Sequence, residues 1–290
     1  MNITKAVIPV AGFGTRFLPI TKTVPKELLP IIDKPVLQYV IDEAVASGIN
    51  EFIFVISPEK AIIKEYFKPY PKLEKKLQEK GKIAELESIK NIYKGLKFSY
   101  AVQKEPLGTG HALLCAEKFV KGDYFAYFDG DAVFYSNEPV MSQVIKVFKK
   151  YNADGVVGGM KVEREKVTRY GNLDVEKITG KEYKLLNMIE KPTLDKAPPH
   201  NMVVCGQRYV FSPKIFKYLH SQKPGVNDEI WTIDAANRMA KEGNFYACEI
   251  DGKYYDTGNK LEFLKANIDF ALRNPELKEG VIEYLKTLKL

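Results

Sequence analysis

The stretch Ala11-Gly12-Phe13-Gly14-Thr15-Arg16-Phe17-Leu18-Pro19 decides the fold, together with Pro25-Lys26-Glu27 just beyond it. It follows directly on the apolar run 6–10, which predicts a buried strand. Small residues after a strand let the backbone come close to a ligand, and exposed N–H groups in such a turn can bind phosphate. Arg16 and Lys26 add fixed positive charge. The stretch therefore predicts a phosphate-binding edge.

Two common phosphate-binding motifs do not match this stretch. A dinucleotide fingerprint needs a third glycine where Phe17 stands, and Pro19 and Pro25 forbid an uninterrupted helix after the loop. The P-loop pattern G-x-x-x-x-G-K-[ST] is absent. A tight turn with two incidental basic residues stays open as the alternative.

The longer pattern G-x-G-T-R-x-L-P-x-T-x-x-x-P-K-E-x-L-P runs from Gly12 to Pro30 and resembles the signature of nucleotide-sugar pyrophosphorylases. Within that family it is most similar to the bacterial-type UTP–glucose-1-phosphate uridylyltransferases. The resemblance implies that Arg16 and Lys26 are catalytic and hold a triphosphate. It also implies nucleotide contacts for four residues, namely Ala11, Gly12, Gly14 and Glu27.

Strands alternate with helices along the first half of the chain. Apolar runs predict strands at 6–10, 52–56, 98–102 and 124–128, and helical patterns fall at 36–48, 59–95, 111–119 and 140–151. We therefore predict an α/β fold with a Rossmann-like, mostly parallel sheet flanked by helices on both faces. A catalytic domain is expected at 1–272 and a C-terminal helical tail at 273–290.

Three loops with chemical character each follow a predicted strand, at 11–16, 103–110 and 129–131. Ligands of such sheets bind beyond the carboxyl ends of the strands, so the three loops predict one shared site. In the second loop, Gln103 offers a donor and an acceptor that suit the edge of a pyrimidine, and Gly108 permits close approach. The resemblance implies that these two recognise uracil. His111 is either a general base or, as we favour, a locally hydrogen-bonded residue.

Asp129-Gly130-Asp131 ends the fourth predicted strand, and carboxylates beside phosphate loops suit Mg²⁺. The alternative is a turn in which aspartate caps backbone amides. The family resemblance makes Asp131 a metal ligand and Asp256, in the motif Tyr-Asp-Thr-Gly, the second one. Asp129 either assists the metal or forms a local hydrogen bond.

Sugar binding is assigned by resemblance alone. The turn at Gly171, the Glu-Lys-Pro motif that contains Glu190 and Lys191, and the strand that contains Gly206 are similar to the sugar site of the family. Glu190 would accept hydrogen bonds from two sugar hydroxyls, and Lys191 would hold the sugar phosphate as a third catalytic group. The strand at Gly206 carries one residue more than the family pattern.

The segment 227–235 departs from its family pattern, because Trp231-Thr232-Ile233 stands in place of Gln-Leu-Thr. An indole there could stack on a ligand, change the size of the sugar pocket or fill a gap in the core. Strict sugar and base specificity therefore stays open.

Bulk properties exclude several classes of protein. The chain has no apolar run long enough to span a membrane, and we expect no signal peptide, because a predicted core strand stands at its start. Its three cysteines are odd in number and match no zinc spacing, which favours a reducing cytoplasm. The net charge of +7 comes from lysines mixed with glutamates, which disfavours nucleic-acid binding but would attract anionic substrates.

Together these motifs imply transfer of a uridylyl group from UTP to glucose 1-phosphate with Mg²⁺ as cofactor, giving UDP-glucose and pyrophosphate. The alternatives are a sister enzyme that uses dTTP or another sugar 1-phosphate, and a catalytically silent nucleotide-sugar-binding subunit. The family also implies a homo-oligomer, either a dimer or a tetramer.

Overall fold

The computed structural model describes residues 2–225 and 228–288 of the chain. The strands, numbered in chain order, are β1 (Lys5–Pro9), β2 (Pro30–Ile31), β3 (Lys34–Pro35), β4 (Glu51–Ile56), β5 (Lys97–Val102), β6 (Phe125–Tyr127), β7 (Ala132–Tyr135), β8 (Gly155–Lys161), β9 (Gly171–Thr179), β10 (Glu182–Glu190), β11 (Met202–Phe211), β12 (Phe245–Glu249) and β13 (Lys253–Asp256). The four strands predicted in the first half are confirmed as β1, β4, β5 and β6.

The α-helices connect and cover these strands. They are α1 (Val36–Ala46), α2 (Ile62–Tyr66), α3 (Pro71–Glu79), α4 (Ile83–Lys90), α5 (Thr109–Val120), α6 (Val140–Tyr151), α7 (Ile215–His220), α8 (Thr232–Glu242), α9 (Lys260–Arg273) and α10 (Lys278–Thr287). The predicted helical stretch 59–95 forms the short, largely exposed helices α2, α3 and α4. The proposed division at residue 272 stays a prediction.

The described residues form a nine-stranded sheet in the order β5-β4-β1-β6-β11-β8-β12-β10-β9. Pairing is parallel among β5, β4, β1 and β6, and again between β8 and β12. It is antiparallel where β11 meets β6 and β8, and through β12, β10 and β9. The sheet is therefore mixed, and the prediction of a mostly parallel sheet is wrong for the second half. There β9 and β10 form a hairpin across Gly180, which requires antiparallel pairing.

Helices cover both faces of the sheet, and β1 shows why. Val7 points into an apolar cluster with Leu113 of α5, whereas Ile8 points into the opposite cluster with Val40 of α1 and Val144 of α6. Successive side chains of a strand face opposite sides, so a run that is apolar throughout must be covered twice. The two cores fix the carboxyl ends of β1, β4 and β6 at one edge.

Within residues 2–225 and 228–288, no helix has both the length and the apolar character that crossing a membrane requires.

Candidate functional site

One cavity of about 250 Å³ lies at the edge where β1, β5 and β6 end. Its lining includes residues from all three predicted loops, namely Ala11, Gly12, Gln103, Gly108, Asp129 and Asp131. Lys26 and Glu27, from the turn that follows the first loop, line it too. Trp231, which precedes α8, lines the same cavity. Most residues predicted to meet the nucleotide therefore surround one space, although their roles stay predictions.

The carboxylates Asp131 and Asp256 lie beside each other. Strand β13 pairs with β7 so that Asp256 stands opposite Ala132, the residue after Asp131. A Cβ built on Gly258 would lie 2.8 Å from Oδ2 of Asp131 and 3.0 Å from Oδ1 of Asp256. Any side chain at position 258 would collide with these two oxygens, so the position requires glycine. The pairing of β7 with β13 explains how Asp131 and Asp256, far apart in sequence, lie close together.

Lys26 is the cation that faces this pair. It lies on the short turn Lys26–Leu28, and its Nζ is 2.5 Å from Oδ2 of Asp131. Burial opposes ionisation of both partners, but their mutual attraction prevails: it lowers the pKa of Asp131 and raises that of Lys26. Both groups are therefore charged at neutral pH, and Lys26 takes an oxygen that a metal could otherwise bind.

The two other carboxylates of the site are shifted the opposite way. Burial, and then repulsion from Asp131, raises the pKa of Asp129 to about 7. The same two causes raise the pKa of Asp256, against the attraction of Arg16. The carboxylates of Asp129, Asp131 and Asp256 therefore repel one another more than Lys26 alone offsets. A bound cation would relieve this repulsion.

Glu27 lines the same cavity and is paired with a residue that sequence reasoning missed. Nζ of Lys60 donates to both carboxylate oxygens of Glu27 at 3.0 and 2.7 Å, and both residues are buried. Burial raises the pKa of Glu27 and lowers that of Lys60 despite their attraction. Lys60 follows β4 at the same sheet edge, which was the one available signal in a lysine-rich stretch.

Gln103 is buried, and its amide orientation is fixed by its neighbours. Nε2 donates to the carbonyl of Gly108 at 3.1 Å and contacts Nδ1 of His111 at 3.0 Å. His111 therefore makes the local hydrogen bond favoured above. With the amide nitrogen used internally, Oε1 of Gln103 is the atom left to accept from a ligand.

Gly108 permits a close approach of backbone, and the backbone that approaches it is the protein's own, at Ile230. A Cβ on Gly108 would lie 2.5 Å from the carbonyl oxygen of Ile230, and one on Gly110 would lie 2.9 Å from the same atom. Backbone hydrogen bonds join the two segments, from Ile230 to Leu107 at 2.9 Å and from Gly110 to Ile230 at 2.7 Å. The residues before α8 thus pack directly on the loop that carries Gln103.

The predicted sugar residues are partly assembled. A Cβ on Gly171 would lie 3.0 Å from Oε2 of Glu190. Nζ of Lys191 is 3.3 Å from Oε1 of Glu190 and 5.2 Å from the ring centre of Trp231. Gly206 is buried, and a Cβ built on it would lie 2.7 Å from Cβ of Ala132 and 2.9 Å from the ring of Phe134. Its contact with the sugar stays a prediction.

Arg16 and Gly14 lie just outside the first cavity. Arg16 and Asp256 line a second cavity of about 630 Å³, together with Lys166, Arg169 and Tyr170. Gly14 adopts a left-handed conformation at φ 66°, with its carbonyl accepting a hydrogen bond from Thr21 at 2.8 Å. The Cβ direction of Gly258 also reaches Arg16, with Nη1 at 3.8 Å, so the two cavities meet at the acidic pair.

Two further findings limit the site. Among residues 2–225 and 228–288, no group of three or more His, Cys, Asp or Glu side chains is placed to hold a metal. Asn227, the first residue of the segment 227–235 that departs from the family pattern, lies outside the described residues.

Comparison with known proteins agrees with this geometry. A model of the nucleotidyl transferase family matches residues 5–272. The UTP–glucose-1-phosphate uridylyltransferase of Bacillus subtilis is 39% identical over 287 residues, covering 99% of this chain and 97% of that protein. The protein of the same name from Staphylococcus haemolyticus is 40% identical over 287 residues, covering 99% of both chains.

Solved structures give the same picture. A UDP-glucose pyrophosphorylase complexed with UDP-glucose is 36% identical with a TM-score of 0.85, over 94% of this chain and all of that chain. A UTP-bound enzyme of the same kind from Acinetobacter baumannii is 33% identical with a TM-score of 0.90, over 99% of this chain and all of that one.

Proposed function

Because this chain belongs to the nucleotidyl transferase family, we propose that it transfers a uridylyl group from UTP to glucose 1-phosphate. The products are UDP-glucose and pyrophosphate. The proposal rests on one observation: Lys26, Asp131 and Gln103, which come from the segments after β1, β6 and β5, line the same cavity. A triphosphate and a pyrimidine base need such charges and such an amide side by side.

The proposed reaction requires little general acid–base catalysis. A phosphate oxygen of glucose 1-phosphate attacks the α-phosphorus of UTP, the bond to the β-phosphate breaks, and pyrophosphate leaves. Because the nucleophile is already an anion, the protein must align two anions and offset their repulsion. Arg16 and Lys26 would hold the triphosphate, and Lys191 would hold the sugar phosphate.

Nucleotidyl transferases generally use a divalent metal ion, and we propose Mg²⁺ here. Asp131 and Asp256 would hold it, because their hard carboxylates lie beside each other at Gly258 and Lys26 pairs with only one of the two oxygens of Asp131. Magnesium usually takes one or two protein carboxylates and completes its shell with phosphates and water, so a third side chain is not required. When bound, the ion would neutralise charge on the phosphates.

A substrate panel tests the function. The purified chain is offered UTP, dTTP, CTP, ATP or GTP with several sugar 1-phosphates, and pyrophosphate release is measured. We expect the highest kcat/KM for UTP with glucose 1-phosphate. Preference for dTTP or another sugar would establish a sister enzyme, and tight nucleotide binding without turnover would establish a silent subunit.

Two lysine variants test whether turnover depends on this site. Lys26→Met should lower kcat by about 10²–10³-fold, as loss of one preorganised charge-stabilising group typically does. Lys22→Met removes an exposed lysine of the neighbouring turn and should keep near-normal turnover. Equal rates for the two variants would remove Lys26 from the mechanism.

A cytoplasmic location and a homo-oligomer complete the proposal. The three cysteines Cys115, Cys205 and Cys248 are free thiols, which suits a reducing compartment. Light scattering of the purified chain would determine whether it forms a dimer or a tetramer.

A further inference from the structure

Trp231 is a residue whose role neither the motifs nor the proposed reaction explains. It is the only tryptophan of the chain, is partly buried against one core, and lines the cavity that holds Lys26 and Asp131. The ammonium of Lys191 lies over its ring, 5.2 Å from the centre. An ammonium within about 6 Å of an indole centre is attracted by the negative face of the ring.

Among residues 2–225 and 228–288, few contacts fix the position of the Lys191 ammonium beside Trp231. Lys191 follows the end of β10 with a left-handed φ of 41°, and its side chain is exposed. Its other charged neighbour is Glu190, at 3.3 Å, which would neutralise the ammonium. An indole attracts the cation without cancelling its charge, so the ammonium stays available for a phosphate.

We propose that Trp231 is the positioning residue for Lys191, holding the ammonium where the phosphate of the sugar 1-phosphate arrives. The proposal rests on the proposed function, in which Lys191 contacts that phosphate. It deepens that function by giving a role to one of the three residues at which this chain departs from its family pattern.

The backbone on both sides of Trp231 is fixed to the nucleotide loop. Ile230 donates to the carbonyl of Leu107 at 2.9 Å, and the amide of Thr232 donates to Oγ1 of Thr109 at 3.1 Å. The carbonyl of Trp231 itself accepts from Nε2 of Gln222 at 3.1 Å. The backbone that carries the indole is therefore fixed to the loop that carries Gln103, so an indole that holds Lys191 would also place it relative to a nucleotide on that loop.

Kinetics give the first test. At saturating UTP, Trp231→Leu should lower kcat/KM for glucose 1-phosphate by about 2- to 30-fold, the range of a cation–π contact, with KM for UTP unchanged. Trp231→Phe keeps an aromatic face and should recover most of the loss. An equal rise in KM for UTP, or equal loss in both variants, would indicate a merely structural role and overturn the proposal.

A double-mutant cycle gives the second test. If Trp231 acts through Lys191, Trp231→Leu should cost nothing further once Lys191→Met is present. Additive losses in kcat/KM for glucose 1-phosphate would overturn the proposal, because an indole that fills the core would act in either background.

Fluorescence tests the contact without turnover and without a risk of misfolding at position 231. Lys191→Met should change the intensity or wavelength of Trp231 emission, since Trp231 is the only tryptophan. Lys184→Met removes a similar contact, 4.6 Å from the ring centre of Tyr246, and should leave the emission unchanged. Unchanged emission in Lys191→Met overturns the positioning role, whether or not turnover is found. A changed emission without turnover on any substrate pair would overturn the proposed function while the contact stands.

Discussion

The buried ion pair of Glu27 and Lys60 should contribute measurably to stability. Lys60→Met would leave Glu27 buried without its cation, which typically costs about 3–5 kcal/mol. We expect denaturant unfolding at neutral pH to show a loss of this size. The double variant Lys60→Met with Glu27→Gln removes both charges and should recover much of it.

The pH dependence of that loss has a definite sign. Burial raises the folded-state pKa of Glu27 above its unfolded value, so the ionised carboxylate destabilises the folded chain at high pH. In Lys60→Met this penalty should fade as the pH is lowered from neutral toward the ordinary pKa of a glutamate and Glu27 takes up a proton. A deficit that is the same across this range would mean that Glu27 is not the group responsible.

Base selection also belongs to single residues. Because Nε2 of Gln103 is bound to Gly108, its Oε1 can accept from the N3–H of uracil, whereas cytosine offers an acceptor at that atom. Gln103→Ala should therefore reduce the preference for UTP over CTP, measured as a ratio of kcat/KM values, by about tenfold or more. Thymine shares the N3–H of uracil, so the ratio of UTP to dTTP should change little. An unchanged UTP to CTP ratio would contradict the assignment.

At the scale of elements, the packing of the segment before α8 on the Gln103 loop makes glycine necessary. Gly108→Ala would place a methyl group 2.5 Å from the carbonyl oxygen of Ile230, at a φ of 95°. Gly95→Ala is the matched control, with a φ of 77° and nothing within 4 Å of the new methyl. We expect the control to lose about 1–2 kcal/mol from backbone strain alone, and Gly108→Ala to lose more and to raise KM for UTP. Equal losses in urea unfolding would show that Ile230 gives way.

These elements also show which parts of the fold could be predicted from the sequence. Apolar runs and glycine or proline boundaries were enough to locate β1, β4, β5 and β6, and the loops after three of them line the cavity. Strand direction is not written in a local pattern, so the antiparallel insertion of β11 between β6 and β8 was not predicted. The contact between Gly108 and Ile230 joins residues far apart in the chain, and one lysine among many could not mark Lys60 as the partner of Glu27.

At the scale of the whole molecule, the site joins β1, β6 and the β7–β13 ribbon, so a ligand that bridges them should stabilise the chain against unfolding. UTP with Mg²⁺ at about 100 times its Kd adds about 2.7 kcal/mol, which corresponds to a rise in Tm of roughly 4 °C for a chain of this length. We expect a smaller rise for UTP with EDTA, because the carboxylates then repel the phosphates. In Asp131→Asn the difference between the two conditions should vanish, whereas Asp123→Asn, an exposed partner of Lys5, should keep it. A full magnesium increment in Asp131→Asn would place the metal elsewhere.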